Sequence, residues 1–296
     1  MSEKKNAAAL GRAALFITAF IWGTSFVILK NTLSGMSAMY VLAFRFSGAA
    51  VLMALFGLKQ LHKIDRAYLT AGALMGSSLF IAYVFQTYGL VYTTPGKNAF
   101  LTATYCVIVP FLNWLINKKK PALRNVIAVV PAMAGIGLVS LDGDFMIGKG
   151  DMLTAFCGIF FALHIIITAR YLPGKSPFLL TVLQFSAAAA LSWIFALITG
   201  PFPIEADGGA VTGIIYLCVM CTAVCFFLQT AGQKNTPPSV ASLILVFESV
   251  FGALISAVFY REEFTLRLIS GFFAIFAAVL ISETELGLRI KRSDFI

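Results

Sequence analysis

From Val240 to Leu254 the chain reads VASLILVFESVFGAL, and the one charge in it is Glu248. A carboxylate in such a run can bind an ammonium group or exchange a proton. It can equally serve as an interhelical hydrogen-bond partner or pair with an arginine. Arg45, in LAFRFSGAA, and His164, in FALHIII, are placed in the same manner. Arg45 suits a substrate carboxylate, or a set of backbone carbonyls. His164 suits a proton relay, or a hydrogen-bonded packing role. Tyr105, Thr24, Tyr83, Gln86 and Gln229 offer hydroxyls and amides. Trp22 offers a ring face to a cation, or a core aromatic. Gln86 and Gln229 can also fix helix ends. The five cysteines, Cys106, Cys157, Cys218, Cys221 and Cys225, all fall in apolar runs. They read as small packing residues, and neither a disulfide framework nor a metal or cofactor site is expected.

These side chains need elements that keep them out of lipid. Of the 296 residues, 59% are hydrophobic and 12% are charged, against about 25% charged in a soluble domain. The mean hydropathy is +0.90. That composition is a polytopic membrane protein's, with the lipid bilayer as its surroundings. The net charge of +9 sits in short segments between apolar runs, which is a topology signal rather than a nucleic-acid surface. The N-terminus begins like a secretory signal, but its apolar run is too long and fits a first spanning helix.

A spanning helix takes about 20 apolar residues, and ten such stretches follow: 11–30, 37–58, 67–90, 96–117, 124–141, 151–170, 177–199, 210–232, 239–259 and 266–287. Of the 22 Lys and Arg, Arg45 lies inside a span, sixteen fall on one side and five on the other. The richer side is the cytoplasmic one. Both termini are therefore expected in the cytoplasm of a multi-pass protein of the cell membrane.

The chain repeats itself. SAMYVLAFRFSGAAVLMALF (37–56) matches SPFLLTVLQFSAAAALSWIF (176–195) at an offset of 139. Gln86 and Gln229, and the Leu-Arg pairs at 123–124 and 266–267, recur at 143. The expected architecture is all-α, with a five-helix repeat over 1–145 and a second over 146–296. An odd number of helices per repeat makes the second enter the membrane inverted, and substrate sites in such scaffolds lie near the midplane between halves. Tyr105 stands in the first half where Glu248 stands in the second. At an offset of 140, Thr24 is the counterpart of His164.

FIWGTSF (20–26), FESVFGALISAVFYREE (247–263) and TYCVIVPFLNWLINKKKP (104–121) resemble the EamA-type drug/metabolite transporters. The resemblance implies a membrane exporter, less often an importer, of small organic metabolites such as amino acids. Where that family shows Glu-Pro in the ninth helix and Gly-Glu at its end, this chain has Glu248-Ser249 and Arg261-Glu262. It lacks the acid usual at the end of the fourth helix and carries Lys118–Lys120 there.

A secondary transporter of amino acids or amphipathic and cationic compounds, working by alternating access with proton or substrate antiport, is the reading these features favour. A sugar-phosphate or nucleotide-sugar exchanger would need several cavity cations. A non-transporting receptor or scaffold has no use for inverted halves. An intramembrane enzyme has only LDGDF (141–145) behind it, with no partner Asp in a span. There is no P-loop, so pumping must draw on gradients.

Overall fold

The computed structural model describes residues 2–118, 120–140, 148–202, 207–234, 236, 238–261 and 263–283. Glu262, Pro237, Lys119, Arg289, Lys291, Arg292 and LDGDF lie outside them. The described residues are helical, without strands. In chain order the helices are α1 (Ser2–Gly35), α2 (Ala38–Gly57), α3 (Arg66–Tyr92), α4 (Pro95–Thr102), α5 (Tyr105–Asn117), α6 (Leu123–Ser140), α7 (Lys149–Tyr171), α8 (Pro177–Thr199), α9 (Gly208–Tyr216), α10 (Cys225–Gln233), α11 (Pro238–Leu245), α12 (Phe247–Tyr260) and α13 (Leu266–Glu283). A π-helical stretch, Leu217–Val224, joins α9 to α10.

Seven rods are long and apolar enough to cross a membrane, and Leu123–Val139, Phe247–Tyr260 and Leu266–Ile281 are shorter apolar helices. Their outer faces carry Phe56, Val130, Ile198, Leu266 and Phe273, each more than 70% exposed. A belt of that kind is stable only against hydrocarbon. The first helix runs well beyond the expected 11–30, because AAALGRAALF keeps helical propensity ahead of the apolar stretch.

Helix starts follow short-range chemistry. Asp65 accepts from the Tyr68 amide at 2.8 Å, and Asp207 accepts from the Ala210 amide at 2.5 Å. Thr94 caps α4 with Pro95 in its first turn, where a missing N–H leaves nothing unpaired.

Two of the expected spans are interrupted. The fourth breaks at Ala103–Thr104, between α4 and α5, and the ninth at Val246, between α11 and α12. An offset of 143 relates these places. At each, hydroxyls bond back to the local backbone: Thr104 Oγ1 to Leu101 O at 2.7 Å, Ser249 Oγ to Val246 O at 2.8 Å. The Ser249 amide also reaches Val246 O, at 2.9 Å, in an i−3 bond. Ser249 thus allows a break where the family resemblance expects proline, because its side chain competes for the ladder. The ends correspond too. Among the described residues, Lys118 (φ 57°) and Arg261 (φ 47°) are the non-glycine residues with positive φ. They close α5 and α12 in left-handed geometry, which is why glycine is usual at the Arg261 position.

Helices that correspond pack in corresponding ways. α3 lies along α7 as α9 and α10 lie along α1, and α2 lies on α8 near the centre. There Phe46 stacks on Phe185, its own counterpart, with ring centroids 6.2 Å apart. At one end of the bundle, a Cβ on Gly89 would stand 2.9 Å from Gly150 O, and one on Gly150 would stand 2.7 Å from Gly89 O. At the other end Gly232 and Gly11 meet likewise, at 2.8 and 3.1 Å. Gly89 and Gly232 are counterparts at 143, and Gly150 and Gly11 at 139.

Candidate functional site

A cavity of about 30 Å³ lies among α1, α3, α4, α5, α7, α10, α11 and α12. That volume holds one or two waters and is too small for a metabolite in this conformation. Its fourteen lining residues form seven counterpart pairs. Offsets of 139 give Trp22 with Phe161, Ser25 with His164, and Phe26 with Ile165. Offsets of 143 give Tyr83 with Phe226, Gln86 with Gln229, Thr102 with Leu245, and Tyr105 with Glu248. The two halves contribute equally and position for position.

Of the residues singled out in the sequence, Glu248, Tyr105, Trp22, Tyr83, His164, Gln86 and Gln229 line this cavity. Arg45 and Thr24 do not. Thr24 turns aside, with its hydroxyl 2.8 Å from Tyr216 Oη and 2.7 Å from Ile21 O. The 139 offset moves the counterpart of His164 from Thr24 to Ser25, the residue that faces the cavity.

Glu248 is buried at the first turn of α12, beside the Tyr105 hydroxyl at the first turn of α5. The Tyr105 Oη lacks a partner of strict hydrogen-bond geometry but lies within electrostatic reach of the Glu248 carboxyl group. Gln229 Oε1 is likewise without a partner. Its counterpart Gln86 is engaged, donating from Nε2 to Thr102 Oγ1 at 3.2 Å. Repetition of glutamine therefore does not mean repetition of role: one holds α4, the other leaves an acceptor at the cavity wall.

Arg45, 1% exposed, sits behind Tyr83. Its Nη2 donates to Tyr83 Oη at 3.0 Å, and its guanidinium lies 4.3 Å from the centre of that ring. Its Nε donates to Thr222 Oγ1 at 2.5 Å, and Thr222 in turn donates to Leu217 O at 2.7 Å. These hydrogen bonds go to hydroxyls rather than to backbone carbonyls. No ion pair joins Arg45 to Glu248; among the described residues the ion pair is Lys97–Asp151, at 3.7 Å. The arginine thus acts on the cavity through Tyr83, whose oxygen accepts from Arg45 and keeps its own proton to donate.

The π-helical stretch supports this wall. It sets Thr222 toward Arg45 and presents Cys221 O to the Trp22 indole N–H at 2.7 Å. With its N–H used, Trp22 gives the cavity only its ring, packed 4.9 Å from Phe226. Such π stretches recur at functional sites. His164 Nε2 is 2.8 Å from Gln184 Oε1; its partner is an amide of α8, the counterpart of Arg45, rather than an acid. Among the described residues no cluster of three His, Cys, Asp or Glu could hold a metal.

Sequence reasoning missed Ser25, Phe26, Thr102, Phe161, Ile165, Phe226 and Leu245. The signal was available. Each is the counterpart of another lining residue, and applying the two offsets to Trp22, Tyr83 and His164 alone yields Phe161, Phe226 and Ser25.

The model of the EamA-like transporter family matches the chain twice, over residues 9–141 and 148–284. The chain belongs to this family. It is a multi-pass membrane protein of a transporter family, built from two copies of one repeat. This EamA-like transporter is 33% identical to an uncharacterized transporter of Archaeoglobus fulgidus, over 90% of this chain and 83% of that one. It is 23% identical to the uncharacterized transporter YetK of Bacillus subtilis, over 75% and 71%. A crystal structure shares its fold with a TM-score of 0.70 at 14% identity, covering 94% of this chain and 96% of that one.

Proposed function

We propose that this EamA-like transporter is a secondary active exporter of small organic metabolites that carry an ammonium group, such as amino acids or amphipathic cations. The observation that carries the reading is the cavity's composition: seven counterpart pairs, with one carboxylate breaking the symmetry at Tyr105/Glu248. A site shared position for position by two inverted halves is equivalent toward either face, as alternating access requires. The glycine crossings, Gly89 with Gly150 and Gly11 with Gly232, serve as thin gates at the two ends of the path. By the excess of Lys and Arg between spans, both termini face the cytoplasm, and the Lys97–Asp151 end faces out.

A charge inside a membrane costs about 2.5–3.5 kcal/mol on insertion scales. Glu248 offsets that cost by holding a substrate ammonium, or a proton in exchange for it. Trp22, Tyr83, Tyr105, Phe161 and Phe226 supply ring faces that favour a cation. Tyr83, held by Arg45, and Gln229 supply a donor and an acceptor for the rest of the substrate. The lining holds no Lys or Arg, which disfavours phosphate-bearing substrates.

Reconstituted proteoliposomes loaded with amino acids, organic cations or sugar phosphates test the reading. Flux of an ammonium-bearing compound under a proton or substrate gradient is the expected result. Flux of phosphates alone, or none with any class, would overturn it.

A further inference from the structure

Helices α5, α6 and α7 enclose a second space, a groove of about 510 Å³. It does not share a lining residue with the central cavity, and it opens to the outside of the bundle. Met133, Met152 and Phe156 on its rim are 62%, 48% and 48% exposed. Its polar lining residues are Thr104, whose hydroxyl is bonded to Leu101 O, and Asp151, engaged with Thr93 and Lys97 at one end.

At the corresponding place in the second half, rings stand against one another. Thr104, Ile108 and Met133 correspond to Phe247, Phe251 and Phe276; Ala155 and Ile159 correspond to Phe16 and Phe20. Those five phenylalanines form an unbroken chain of ring contacts. The centroids are 5.8 Å apart for Phe276–Phe247, Phe247–Phe16 and Phe16–Phe251, and 5.2 Å for Phe251–Phe20. The groove is therefore a difference between two copies of one scaffold. Five small or aliphatic residues stand where rings close the other copy.

The groove runs roughly 12 Å along α7 from Asp151 to Ile159. At its Asp151 end stand Lys97 and the exposed Lys149, whose Nζ lies 4.5 Å from the centre of the Tyr92 ring. Lysine over tyrosine at a helix end suits the membrane–water interface. The groove thus starts at headgroup level and descends into hydrocarbon. Water has no partners there, and an empty apolar space forfeits contacts on every wall. A flexible apolar chain fits the space, and the surrounding bilayer supplies one.

We propose that this groove seats one acyl chain of a membrane phospholipid, which packs α5 where phenylalanines pack α12. The deep end of the chain meets Thr104, at the break in the fourth span and next to Tyr105. Lipid in the groove therefore bears on one wall of the central cavity.

The test uses the full-length protein in vesicles containing phosphatidylcholine with a photoactivatable diazirine near the acyl end. Labelling is read by mass spectrometry on 129–136 and 152–159, against the counterpart surface 13–20 and 272–279. The expected result is severalfold heavier labelling of the groove segments, lost in Ala155→Phe and in Thr104→Phe, which install the counterpart rings. Should either variant fold poorly, judged by thermal unfolding, Ala155→Leu narrows the groove more gently and should lower labelling in part. Equal labelling of the two surfaces, or unchanged groove labelling in a well-folded filled variant, would overturn the proposal.

Discussion

Tyr105 and Glu248 hold the same place in the two halves, each in the first turn after a break in its span, and their side chains adjoin in one cavity. One scaffold position carries a phenol on one side and a carboxyl group on the other. The site therefore has a near-symmetric frame and a single acidic group.

If that acid holds the substrate ammonium, Glu248→Gln removes a charge-assisted contact of about 1.5–3 kcal/mol. Half-saturation of transport should rise roughly ten- to a hundredfold, with membrane yield unchanged. Flux measured in proteoliposomes checks this, and unaltered, still pH-dependent flux would remove Glu248 from the mechanism.

The near-symmetry makes a swap informative. Glu248→Tyr should be inactive, while Tyr105→Glu combined with Glu248→Tyr returns a carboxyl group to the cavity from the other half. Partial recovery of substrate binding by thermal shift is expected in the double variant. A double variant no better than the single one would mean that the local frame of α12 matters as well as the charge.

Arg45 is assigned a positioning role. Thr222→Val leaves its Nε without an acceptor and should destabilise the protein by about 1–3 kcal/mol, read as a lower thermal unfolding temperature. Thr222→Ser keeps the hydroxyl and should restore most of it. Equal losses in Val and Ser variants would point to packing of the threonine methyl instead.

The glycine crossings predict opposite effects at opposite ends. In Gly150→Val, side-chain atoms enter a gap where Gly89 O is 2.7 Å from an added Cβ; in Gly232→Val, Gly11 O is 2.8 Å away. Each should hold its own end apart. With Ser25→Cys as reporter and the native cysteines replaced, a membrane-impermeant maleimide should react faster from one face in Gly150→Val and from the other in Gly232→Val. Faster reaction from the same face in both would rule out gating by these crossings.

Much of this was legible in the sequence, for identifiable reasons. Hydrocarbon admits only backbone that bonds within itself, so length and hydropathy announced a multi-pass helical protein. A buried charge is costly enough to be rare, so Glu248, Arg45 and His164 stood out, and the offsets of 139 and 143 were readable from Gln86/Gln229 and Arg45/Gln184. Side-chain direction was not readable. A helix turns 100° per residue, so a one-residue error in offset exchanged Thr24 for Ser25. Arg45 was visible as a charge, but its place behind Tyr83 depends on a π-helical stretch that no spacing announces. The apolar groove was hidden most completely. Ala155, Thr104 and Met133 on one side, and Phe16, Phe247 and Phe276 on the other, all satisfy an apolar pattern. The sequence by itself determined the membrane class, the repeat and the acid at its centre. Which residues meet, and which counterparts leave a space, was decided only by three-dimensional packing, because volume and direction are properties of neighbours that lie far apart along the chain.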